Sequence, residues 1–140
     1  MRRMGRADAA EIAKFNALLR LVTEQPESVV KLAQEIPDVL EAANSTAETV
    51  LHWLAVENDV EGVKLLHGLG AQIPLFALIH AVEGGHVEMV DLPLELGARP
   101  KTYDLSKIMA NPIFGLTQNK KDALTRCFER HGCLQPGQMK

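Results

Sequence analysis

Residues 49–71 read Thr49-Val50-Leu51-His52-Trp53-Leu54-Ala55-Val56-Glu57-Asn58-Asp59-Val60-Glu61-Gly62-Val63-Lys64-Leu65-Leu66-His67-Gly68-Leu69-Gly70-Ala71. Apolar residues recur here at helical spacing in two short runs. Leu51 and Ala55 lie on one face of a first helix, and Val60, Val63 and Leu66 on one face of a second. Between the runs there is room only for a tight turn. Thr49 stands where an N-cap is needed, because its hydroxyl can accept from an orphan backbone N–H of the first turn. Gly70 stands where the second helix must reverse into left-handed backbone, a conformation that glycine reaches without a Cβ clash.

The same order returns along the chain. Leu78-Ile79-His80-Ala81-Val82-Glu83-Gly84-Gly85-His86-Val87-Glu88-Met89-Val90-Asp91-Leu92 leads to Gly97-Ala98, over the interval that separates Leu51 from Gly70. Moving back 33 residues places Leu18 on Leu51, Leu21 on Leu54, Val22 on Ala55, Val30 on Val63, Leu32 on Leu65 and Ile36 on Leu69. Towards the end, Ala123-Leu124-x-x-Cys127-Phe128-x-x-His131-Gly132-Cys133 reads as another second helix with its stop, its partner lying near Leu105 to Ala110. Self-similarity at a fixed period is the signature of repeat architectures.

The pattern resembles the ankyrin repeat, through Leu51-His52-x-x-Ala55, Val60-x-x-Val63-x-x-Leu66, Gly70-Ala71 and the Gly85-His86 turn. The resemblance implies an all-α fold, a solenoid of stacked antiparallel helix pairs with short or stunted hairpin loops. Its units would be about 11–37, 47–71, 74–98 and 102–133, within a single domain over 11–133. A short basic tail, 1–10, and a C-terminal tail, 134–140, flank it. The outer two units are atypical, as terminal repeats are when one face meets water instead of a neighbour. Around Gln25-Pro26 the apolar stripes of the first unit break into a helix hairpin, with Pro ending one helix and opening the next. Asn44 to Thr49 would form a projecting finger. Only six residues separate Ala71 from Leu78, so the next finger is expected to be missing or stunted. Pro93 falls inside a second helix, where proline removes a donor and costs about 3 kcal/mol. A kink or an early end near Leu92 is the expectation. Pro112 to Leu116 makes the last linker longer and irregular.

Bulk properties limit the functional classes. Apolar content of 46% supports a core, but aromatics at 4% leave that core to Leu, Val, Ile and Ala. With 15 basic and 18 acidic residues the net charge is −3, which offers no field for phosphate backbones, so nucleic-acid binding is not expected. Cys127 and Cys133 are too few for a secreted disulfide framework, so a reducing, cytoplasmic setting is the simpler reading. Arg2-Arg3 is followed by Ala7-Asp8-Ala9-Ala10-Glu11 where a twin-arginine signal would need an apolar core, and is read as part of the basic tail. The uncharged run Leu65 to Val82 contains Gly68, Gly70, Pro74 and two histidines, so a repeat boundary explains it better than a membrane span.

Residues that could carry chemistry fit the scaffold. None of the five histidines has ligand spacing, and no His-Glu-x-x-His or Cys-x-x-Cys pattern is present, so neither metal nor cofactor is expected. His52 stands at the family's structural histidine and His86 at its turn. Cys127 and His131, one helical turn apart, could pair as nucleophile and base. The plainer reading puts Cys127 in the core and His131 at a helix C-terminus, since no third orienting group is visible. The chain is read as a non-enzyme, with the Cys127/His131 enzyme as the alternative.

What remains is surface. The resemblance implies that the first helices and finger tips form a concave face that binds a protein partner. Its positions are Arg20 and Glu24 in the first unit. In the second they are Ser45, Thr46 and Glu48 on the finger, with Trp53, Val56 and Glu57 on the helix. His80 and Glu83 follow in the third, then Arg99, Lys101, Thr102 and Tyr103 on the next finger, and Lys107 and Asn111 in the last. Trp53 is the leading anchor, as tryptophan is a frequent hot spot. The expected function is stoichiometric protein binding, as a small bacterial inhibitor or immunity protein, with an adaptor or regulatory subunit as the alternative. No membrane or small-molecule substrate is expected. A monomer is expected, weak dimerisation through an uncapped end or the Pro93 region being the other reading.

Overall fold

The structure, a computed structural model, describes residues 8–99 and 105–133. Among these residues every regular element is helical, and the only β feature is an isolated antiparallel bridge between Ala43 and Thr49. Helices α1 (Ala9–Glu24), α2 (Val29–Glu35), α3 (Val50–Val56) and α4 (Val60–Gly68) precede α5 (Leu75–Gly84), α6 (Val87–Glu95), α7 (Leu105–Ala110) and α8 (Gln118–Arg130). The chain divides into two compact units, Met1–Ile73 and Pro74–Lys140.

In the first unit α1 starts two residues before the expected boundary, because Asp8 accepts from Glu11 N at 2.8 Å and caps it. The helix buries Phe15, Leu18 and Val22, a stripe at helical spacing. It stops at Gln25 and α2 stops at Ile36, each the residue before a proline and each outside the α region, at ψ 65° and 80°. The proline ring clashes with a helical predecessor, which is why the chain breaks there. Pro26 and Pro37 each open a 3-10 turn, Pro26–Ser28 and Pro37–Glu41. The second of these packs on α1, α2 and α3, burying Val39 and Leu40. The helices on either side of the Gln25-Pro26 break, α1 and α2, pack against each other. Val50, Leu51, Leu54 and Ala55 of α3 meet Val63 and Leu66 of α4 within the same core.

The two middle helix pairs end alike. In α3, Asn58 N bonds Ala55 O and Asp59 N bonds Leu54 O. The same two-bond closure repeats at Gly70-Ala71, Gly85-His86, Gly97-Ala98 and, after α8, Gly132-Cys133. This is the Schellman stop, and it needs positive φ at the first residue of each pair. Asn58 has φ 60° and Gly97 has φ 102°.

In the second unit α5 packs on α6 and on α7, while α6 packs on α8. Its core joins Leu78, Ala81 and Val82 with Met89, Val90, Leu94, Met109, Leu124 and Phe128. Pro74 caps α5 with no finger before it, and Pro112–Phe114 forms a 3-10 turn in the irregular last linker. Pro93 does not end α6 near Leu92, and the helix runs on to Glu95. Its missing N–H removes one bond near a terminus that three others close: Leu96 N to Leu92 O, Gly97 N to Leu94 O and Ala98 N to Pro93 O. The uncharged run Leu65 to Val82 is divided between α4 and α5, and no helix of the described residues is long and apolar enough to cross a membrane.

Candidate functional site

In the first unit α3 presents an apolar surface. With Leu51, Leu54 and Ala55 committed to the core, the residues one turn apart on the other side, Trp53 and Val56, are 39% and 43% exposed, and Glu57 is exposed beside them. Thr49 sets this helix, its Oγ1 accepting from His52 N at 3.3 Å. Covering the exposed two fifths of the indole on docking would gain further apolar transfer energy, so a partly exposed Trp is a usable anchor.

Elsewhere in that unit the expected contact residues are held by their own neighbours. Asn44 Oδ1 accepts from Thr46 N and Glu48 N, and the Thr46 hydroxyl, with one proton to give, stands 2.8 Å from Asn44 Oδ1 and 2.7 Å from Glu48 Oε1 and donates to one of them. With the Ala43–Thr49 bridge and Ala47 at φ 65°, these bonds make a tight closed loop. Thr46 and Glu48 therefore shape the loop, and Ser45 is exposed at its tip. On α1, Arg20 Nε donates to Glu24 Oε2 at 2.9 Å, both side chains being solvated. They edge a shallow depression of about 320 Å³ lined also by Ala17, Leu21, Gln25 and Leu32.

In the second unit His80 and Glu83 are half-buried, and the His80 ring lies 6.4 Å from that of Phe76. Phe76 itself is 58% exposed, more than Trp53. Arg99 turns back onto the end of α6, Nη1 donating to Leu94 O and Ala98 O, as a cation does at a helix C-terminus. Asn111 accepts from Ile113 N and caps the 3-10 turn after α7, while Lys107 is exposed. Lys101, Thr102 and Tyr103 lie outside the described residues.

A second constellation sits between α6 and α8. Asp91 Oδ1 accepts from His131 Nε2 at 2.7 Å and from Arg130 Nη2 at 2.7 Å, and Cys127 Sγ donates to it at 3.7 Å. Asp91 is the third group absent from the local pattern around Cys127 and His131, because it comes from another helix. Its hydrogen bond from His131, and next the Arg130 guanidinium, hold its carboxyl below the ordinary value despite partial burial. The thiol moves the other way. Burial, and next the Asp91 charge, push Cys127 up to about 11. Near neutral pH only on the order of one thiol in ten thousand would be ionised, the reverse of an activated nucleophile.

Asp91 escaped local reading because no motif spans separate helices at such distance. The signal that could have found it is the packing of α6 on α8, which carry Asp91 and Cys127. No protein-family model, no curated protein and no solved structure gives a match to this chain.

Proposed function

We propose that the protein is a stoichiometric protein-binding module of ankyrin-like construction, acting through the exposed face of α3. The observation that carries this reading is the pairing of Trp53 with Val56 on a helix whose other side is fully committed to core. Such a patch is held by its scaffold before any partner arrives, so docking loses little ordering entropy. The ankyrin-like part is supported by the repeated Schellman stops and, within the second unit, by α5 beside α7 and α6 beside α8. An unionised, buried Cys127 favours binding over the nucleophile reading.

The role of such a module is to occupy a partner's surface, either as an inhibitor or immunity protein or as an adaptor. Capture on immobilised full-length chain, read by mass spectrometry, tests it. A partner retained by the wild type and lost with Trp53→Ala and Val56→Asp, but retained with Asp91→Asn, is the expected result. Equal capture by all variants would remove α3 as the binding face. Suppression of the partner's activity at equimolar ratio would mark the inhibitor, and unchanged activity the adaptor.

A further inference from the structure

Three metal-ligating side chains converge where α6 meets α8. One ligand atom from each of Asp91, Cys127 and His131 lies within 4.8 Å of the others. Zinc holds sulfur at about 2.3 Å and nitrogen or oxygen at about 2.0–2.2 Å in a tetrahedron, so its ligand atoms stand about 3–4 Å from one another. The distances of 2.7 Å from Asp91 Oδ1 to His131 Nε2 and 3.7 Å to Cys127 Sγ require shifts of only about an ångström to reach that shape. Cys127 lies in the last turn of α8 and His131, four residues on, is its C-cap, while the third ligand comes from the helix packed against it. The ligands are also graded in access: Cys127 is 1% exposed, whereas the side chains of His131 and Asp91 are 15% and 35% exposed.

We propose that Asp91, Cys127 and His131 form a three-ligand site for a thiophilic divalent cation of the zinc class, with the fourth position facing solvent. A set of one sulfur, one imidazole and one carboxylate prefers zinc or cobalt to magnesium or calcium, which take oxygen. Binding exchanges protons for the ion. The Cys127 thiol gives its proton to solvent and becomes the sulfur ligand, and the His131–Asp91 hydrogen bond is replaced by two metal bonds. His131 then carries its proton on Nδ1. Arg130 donates to the same Asp91 oxygen at 2.7 Å, so its guanidinium must leave when the cation arrives. Its side chain is 60% exposed and can swing into water. Arg130 is thus a built-in competitor for the site.

The test is titration of chelator-treated, full-length protein with Co²⁺, followed by displacement with Zn²⁺. The expected result is a thiolate-to-cobalt charge-transfer band with the visible bands of four-coordinate cobalt. It should saturate at one ion per chain, bleach with zinc and release one proton per ion in weakly buffered solution. Cys127→Ser should abolish the charge-transfer band, and Asp91→Asn should weaken binding by on the order of tenfold or more. Arg130→Ala should tighten binding several-fold by removing the competing cation, an effect that a purely structural arginine would not produce. Cys133→Ser should leave the band unchanged. A wild type without the band, a band that survives Cys127→Ser, or one that disappears with Cys133→Ser would overturn the assignment. Should Cys127→Ser fail to fold, Asp91→Asn and Arg130→Ala at the solvated side of the site still decide. Cobalt affinity unchanged in both would overturn it.

Discussion

Trp53 is the chain's one tryptophan, so intrinsic fluorescence reports on a single position. With 39% of its surface exposed, its emission should be red-shifted and open to quenching by iodide in the native state. Emission as blue and as protected as in a buried indole would show that α3 hides this face. About three fifths of the indole is still covered by the fold, so Trp53→Ala should destabilise by about 1–3 kcal/mol, below the 3–5 kcal/mol of an aromatic removed from a core. The two thiols make a second contrast. Cys127 is buried with its thiol raised to about 11, and Cys133 is only half-buried, its thiol raised by burial as well. An aromatic disulfide reagent at neutral pH should modify Cys133 first and Cys127 only once denaturant is added. Rapid native labelling of Cys127 would reopen the nucleophile reading. Both contrasts show how far single residues can be read. Core positions such as Leu51 and Phe128 follow from periodicity, whereas the bonds that tie down Thr46, Glu48, Arg99 and Asn111 depend on loop closure that no spacing rule contains.

Between elements, Asp91 acts as a clamp from α6 to α8. Its carboxyl titrates lower in the folded chain than its ordinary value of 3.8, through His131 and then Arg130. The clamp's contribution is therefore complete above pH 3.8 and fades as pH falls through the lower folded value. Asp91 is partly solvated, so the contribution should be about 1 kcal/mol or less. Urea midpoints between roughly pH 4 and pH 2 should fall more steeply for the wild type than for Asp91→Asn. Parallel slopes would remove the clamp. The helix stops give a second test. Gly97 sits at φ 102°, so Gly97→Ala should destabilise by about 1–2 kcal/mol in chemical denaturation. Asn58 already tolerates φ 60°, and Asn58→Gly should be neutral or slightly stabilising. The glycine stops were legible because the need for positive φ writes itself as Gly at fixed places. The course of α6 past Pro93 was not, since it depends on bonds that close the terminus beyond it.

At the scale of the whole chain, 15 basic against 18 acidic residues predict no salt-dependent binding of a labelled DNA duplex in fluorescence anisotropy at physiological salt. A salt slope corresponding to several phosphate contacts would contradict that. The sequence by itself determined that the described residues are helical, where several helices begin or stop, such as the Thr49 cap and the glycine stops, and which faces are apolar. Those properties come from local periodicity, caps and the steric limits of proline and glycine, all of which act over a few residues. Tertiary structure alone decided which polar side chains meet. Asp91 reaches Cys127 and His131 only because α6 packs on α8, and the intervening chain can bring them together or hold them apart without altering any local pattern. It also decided that Trp53 stays partly in water while its neighbours Leu54 and Ala55 are buried, because exposure depends on what the rest of the fold covers.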